Sequence, residues 1–99
     1  MSKSTKYASS TFSKLPKLHA RIPFGYTIDP DDPSYILPVY DTLEALETAL
    51  EYLAFKSVSY REAARFIKEF SGEVITYEGL RLMIKTMKHP IFHNGEYPD

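Results

Sequence analysis

The sequence predicts a mostly α protein in which three helices follow a short extended or β segment, and three observations carry that expectation. Leu43, Leu46, Leu50 and Leu53 recur at helical spacing behind Asp41. Ser59 and Glu62 stand three apart in the order of a capping box, ahead of Ala63, Phe66, Ile67 and Phe70. Gly72 then breaks the pattern, and Thr76 opens a third run with Leu80, Met83, Ile84 and Met87 along one face.

The elements follow in order. Residues 1–20 are rich in Ser, Thr and Lys and read as a flexible basic arm, in which Tyr7 and Phe12 supply apolar anchors. An acid-poor, serine-rich start is also found in transit peptides, but those are rich in arginine, and this start has one, Arg21 at its end. Residues 21–99 read as the folded domain. Pro23 extends Ile22, Gly25 permits a sharp turn, and Phe24 and Tyr26 add apolar area. A strand pair is expected at Tyr26, Thr27, Ile28 and at Tyr35, Ile36, Leu37, around the loop Asp29, Pro30, Asp31, Asp32, Pro33. The three carboxylates of that loop match no calcium loop, which needs a glycine and a distal glutamate. Aspartate before proline is ordinary turn chemistry.

The first helix is expected over residues 42–55. Asp41 and Glu44 pair as a capping box, and Ala45, Ala49 and Tyr52 widen the leucine stripe. Such a stripe suits a core, and part of it suits a subunit interface in so small a chain. In the next helix Val58 can staple onto Ala63, and in the third Ile75 onto Leu80. Beyond Lys88 the helix stops at His89 and Pro90. Ile91 and Phe92 suggest a brief extended segment, and Asn94 with Gly95 a turn. With the first helix, the two helices joined by a tight glycine turn make a three-helix helix-turn-helix domain, able to present the last helix to a DNA major groove.

Charge is partitioned along the chain although the net charge is only −1. Residues 1–28 hold five cations and no anions, residues 29–55 seven anions and no cations, and residues 56–88 seven cations against four anions. A mixed solvated surface is one reading of this; basic segments turned toward nucleic acid are the other. With Leu80, Met83, Ile84 and Met87 inward, the third helix leaves Glu78, Arg81, Lys85 and Lys88 outward, with Thr76 and Tyr77 at its start. Arg81 could bond a guanine edge, and Lys85 and Lys88 neutralise phosphates. Arg61, Arg65 and Lys68 line the preceding helix and suit the DNA backbone. Gly79 within the helix is expected to serve a close helix crossing or close approach to DNA. A helical hairpin with a solvated basic face would leave the same stripe.

Enzymatic constellations are absent from the sequence. With no cysteine there is neither a disulfide nor a thiolate. His89 and His93 are four apart, but Pro90 interrupts the helix that would bring them together, so both read as surface or turn histidines. No phosphate-binding glycine loop and no serine elbow occurs. No catalysis, cofactor or metal is expected. No apolar run approaches the ~18 residues of a membrane span, so the expected setting is the cytoplasm, of a host cell if the protein is viral, without membrane contact.

Two resemblances converge on these residues. Arg21, Ile22, Pro23, Phe24, Gly25, Tyr26, then Leu37 and Pro38, Leu43 to Leu46, Tyr52 and Leu53, Ser59 to Ala64, and Ile75 to Leu80 resemble the small helix-turn-helix module of tailed-phage DNA-packaging terminases. The same order is similar to the DNA-binding recombinase domain of large serine recombinases, where His89, Pro90, Ile91, Phe92, His93, Asn94 and Gly95 match the tail more loosely. The first resemblance implies a small-terminase role: binding double-stranded DNA as a homo-oligomer and delivering it to a separate large-terminase ATPase. The second implies DNA binding alone. Other expectations for the same helices are a transcription regulator, a recombination accessory factor, or a protein-interaction or structural virion component.

Overall fold

A computed structural model describes residues 14–93. The described chain is mostly helical with a short three-stranded sheet, and it divides into two compact units: residues 14–40 with 89–93, and Asp41–Lys88.

In the first unit Gly25 takes a left-handed φ of 89° and Tyr26 N–H closes a turn onto the Pro23 carbonyl at 3.2 Å. Only glycine adopts that backbone without a steric cost. The turn launches β2 (Tyr26–Ile28), which pairs antiparallel with β3 (Tyr35–Pro38), Thr27 standing opposite Leu37. The aspartates between them act as turn residues. Asp29 Oδ1 accepts from the Asp31 N–H and Asp32 Oδ1 from the Ser34 N–H.

A third strand, β1 (Leu15–Pro16), lies within the expected arm. It pairs antiparallel with β3, giving the order β1-β3-β2, and Leu15 is 6% exposed. Its partners lie twenty residues on, where no local pattern announces them. Ile36, opposite both Leu15 and Ile28, is fully buried. Tyr7 and Phe12 of the arm, and the expected turn at Asn94 and Gly95, lie outside the described residues.

Residues expected to be extended near the end form a 3-10 turn instead, Pro90–Phe92. Pro90 supplies a fixed φ at its start, and His89 Nδ1 caps it by accepting from the Ile91 N–H at 3.1 Å. His89 is 4% exposed, so it is neither a surface nor an open-turn histidine. Its Nε2 meets the Phe24 carbonyl, which fixes the neutral tautomer with hydrogen on Nε2.

The helical unit carries most of α1 (Tyr40–Ala54). The helix begins ahead of Asp41, which therefore occupies the first turn and complements the dipole without acting as the cap. Leu43, Ala45, Leu46 and Ala49 are fully buried, while Leu50 and Leu53 are half-buried. Each buried leucine contributes about 1.5–3 kcal/mol. Lys56, with φ 57°, bends the chain away.

Next, α2 (Tyr60–Ser71) opens on the full capping box: Ser59 Oγ accepts from the Glu62 N–H at 3.1 Å, and Glu62 Oε1 from the Ser59 N–H at 2.8 Å. Gly72 closes it in the left-handed region, φ 83°, its N–H on the Lys68 carbonyl. After four residues Thr76 caps α3 (Tyr77–Thr86), which ends on Met87 at φ 53°. The two helices pack on each other with Ala63, Ile67 and Leu80 fully buried. Phe70 and Met87, expected inward, are about half exposed, Met87 because it has left the helix.

Candidate nucleic-acid interface

The outward face of α3 follows from its buried one. With Leu80 sealed and Met83 and Ile84 half-buried, the 3.6-residue period turns Arg81 and Lys85 outward, and both are exposed. They stand four residues apart, about 6 Å along the axis. Glu78 is also exposed, in the first turn of the helix. Lys88 is exposed but lies past the helix end at Thr86, so the expected stripe stops one turn early. The left-handed step at Met87 removes Lys88 from the helical register.

On α2, Arg61, Arg65 and Lys68 are all exposed. Arg65 and Lys68 are three residues apart on one side of the helix. Among the described residues no ion pair holds Arg65, Lys68, Arg81 or Lys85. Their charges therefore face solvent unneutralised, which is what electrostatic attraction of a polyanion requires. The nearby acids Glu62, Glu69 and Glu78 temper that field.

Thr76 and Tyr77 stand where α3 begins. Thr76 is exposed, and its Oγ1 accepts from the Gly79 N–H at 2.9 Å. That contact also accounts for Gly79. A Cβ there would stand 3.1 Å from Thr76 Oγ1 and 3.7 Å from Ile75 Cγ1. The glycine thus relieves crowding at the cap of its own helix, and no described residue of another helix lies within 4 Å of where that Cβ would stand.

Tyr77 is half-buried and joined to Arg61 across the turn. The Arg61 guanidinium carbon sits 4.1 Å from the ring centroid, and Nη2 donates to the phenol oxygen at 3.1 Å. Sequence reasoning missed this contact, since the two residues are sixteen apart and nothing local links them. It also missed Leu82, 59% exposed beside Lys85. The signal was present: Leu82 falls off the apolar stripe of α3.

Apolar surface is exposed elsewhere on the helical unit. Tyr52 meets Phe66 edge to face at 5.8 Å, and Phe66 stacks on Phe70 at 5.5 Å. Phe70 is 48% exposed and Phe55 79%.

Titratable groups of the sheet unit serve its structure. Asp29 is held below the usual carboxylate range by the Asp31 N–H first, then by Lys14, whose ammonium is 3.1 Å from Oδ2. Burial pushes the Tyr26 phenol up to about 12, with Tyr40 adding to it. Burial likewise lowers His89, partly offset by its bond to Phe24. Among the described residues no three His, Asp or Glu gather to hold a metal ion, and no helix is long and apolar enough to cross a membrane.

No protein family, curated protein or solved structure matches this chain.

Proposed function

We propose that this is a non-enzymatic helix-turn-helix protein that binds double-stranded DNA. The observation that carries the reading is the exposed pair Arg81 and Lys85 on α3, held in no ion pair among the described residues and backed by Arg65 and Lys68 on the helix packed against it. A short helix with a partly buried apolar side and an open cationic side suits groove entry, with α2 along the backbone. Thr76 and Arg81 would lie toward the bases, with Tyr77 at the groove edge; Lys85, Lys88, Arg65 and Lys68 would lie toward phosphate. Within this reading the role is most like that of a phage terminase small subunit, selecting viral DNA in the host cytoplasm as a homo-oligomer and passing it to a large-terminase ATPase. That finer assignment rests on the sequence resemblance alone. Recombination or transcription would use the same helices.

A mobility-shift assay tests the reading, using random duplex against viral and host fragments at two ionic strengths. Retention that weakens steeply with salt is expected. Absence of any shift at low salt overturns it.

A second reading has its own observation. The exposed rings of Phe55, Phe70 and Tyr52, with Leu82, favour a protein-interaction component. Sedimentation of the protein alone and with candidate virion proteins, without DNA, distinguishes this class.

A further inference from the structure

The contact between α2 and α3 changes the role the sequence suggests for Arg61. We infer that Arg61 is a positioning residue for Tyr77: it acts on DNA through the tyrosine hydroxyl and does not grip a phosphate itself. The inference rests on the DNA-binding reading and deepens it, because it names a donor and the group it serves.

Two contacts bind the guanidinium to one ring. Its central carbon lies 4.1 Å over the Tyr77 centroid, and one Nη2–H is donated to the phenol oxygen at 3.1 Å. A planar cation suits both roles at once, as an ammonium would not. To hold a phosphate in the usual fork, Arg61 would have to give up the ring, the hydrogen bond, or both.

The consequence falls on Tyr77. It is the first residue of α3, and its ring is fixed from one side by Arg61. Its oxygen already accepts from a cation, so the phenolic proton is left to be donated, and polarisation by the incoming N–H strengthens it as a donor. The contact is exposed, so water serves this donor in the free protein and DNA competes for it. On DNA the abundant acceptor is a phosphate oxygen, and Tyr77 is the side chain assigned to it.

A double-mutant cycle on DNA affinity tests this, using Arg61→Ala, Tyr77→Phe and the double variant in the full chain. Tyr77→Phe keeps the ring and is expected to weaken binding about tenfold. Arg61→Ala should weaken it to a similar extent in the wild-type background and add little in the Tyr77→Phe background. The salt slope of Arg61→Ala should match the wild type. Thermal melts check that each variant folds, and Tyr77→Phe alone remains informative if Arg61→Ala does not. Additive losses, a slope lowered by about one, or full affinity in Tyr77→Phe would overturn the inference while leaving the DNA-binding reading intact. A wild-type protein that binds no DNA would remove the reading itself.

Discussion

The hydroxyl oxygen of Thr76 accepts from the Gly79 N–H at 2.9 Å and lies 3.1 Å from where a Cβ on residue 79 would stand. One atom therefore both caps α3 and crowds a Cβ at residue 79, which would fit only if the hydroxyl gave way by a few tenths of an ångström. Gly79→Ala should gain ~1 kcal/mol of helix propensity and lose about as much by displacing the cap, leaving stability near its wild-type value. In a Thr76→Ala background the conflict is gone, and the same change should stabilise by ~1 kcal/mol. Urea unfolding of the four proteins checks this; an equal effect in both backgrounds would refute it.

Thr42 is fully buried in α1, and its hydroxyl has no hydrogen-bond partner among the described residues. Thr42→Val keeps the shape and removes the unmet polar group. The expected gain is about 1 kcal/mol, seen as a rise in Tm of about 4–8 °C. A lower Tm would mean that the hydroxyl is satisfied.

The pH dependence of stability should trace to His89. Its folded pKa lies below 6.5, so the unfolded chain takes up the proton first as pH falls. The stability it contributes is present above that value and is lost as pH drops through the histidine range. Protonated Nδ1 would become a donor facing the Ile91 N–H and would abolish the cap. Unfolding at about pH 7.5 and about pH 5.5 should differ clearly in the wild type. His89→Ala should cost roughly 1–3 kcal/mol at the higher pH and flatten the difference. A steep difference retained in the variant would assign it to other groups.

For the DNA-binding proposal, Arg81→Ala should lower affinity for the preferred duplex by about 1–3 kcal/mol relative to random duplex. Lys85→Ala should weaken all duplexes alike and reduce the salt slope by about one. Titrations at several salt concentrations separate the two. Identical behaviour of both variants and the wild type would count against α3 as the contacting element.

What could be read in advance divides by range. The caps at Ser59, Glu62, Gly72 and Thr76 were legible because each acts within four residues of itself. The outward turn of Arg81 and Lys85 was legible for the same reason, since helical period alone decides it. β1 was not, because Leu15 gains its burial from Ile36, far along the chain. Nor was the Arg61–Tyr77 pair, which depends on how α2 meets α3. Met87 broke the expected face because a methionine in left-handed backbone leaves no mark in sequence. His89 read as a turn residue because Pro90 follows it, whereas its partner at Phe24 lies sixty-five residues earlier.

The sheet unit is built from sequence both before and after the helical one, because the chain leaves it at Tyr40 and returns at His89. During synthesis the strands emerge first, but the imidazole that ties Phe24 and Tyr26 to the end segment is translated only after α3. Helices close short loops and are able to form as they appear, while the sheet must wait for a contact of high sequence separation. A chain ending before His89 would thus keep the sequence of every α-helix and lose the side chain that locks the strands.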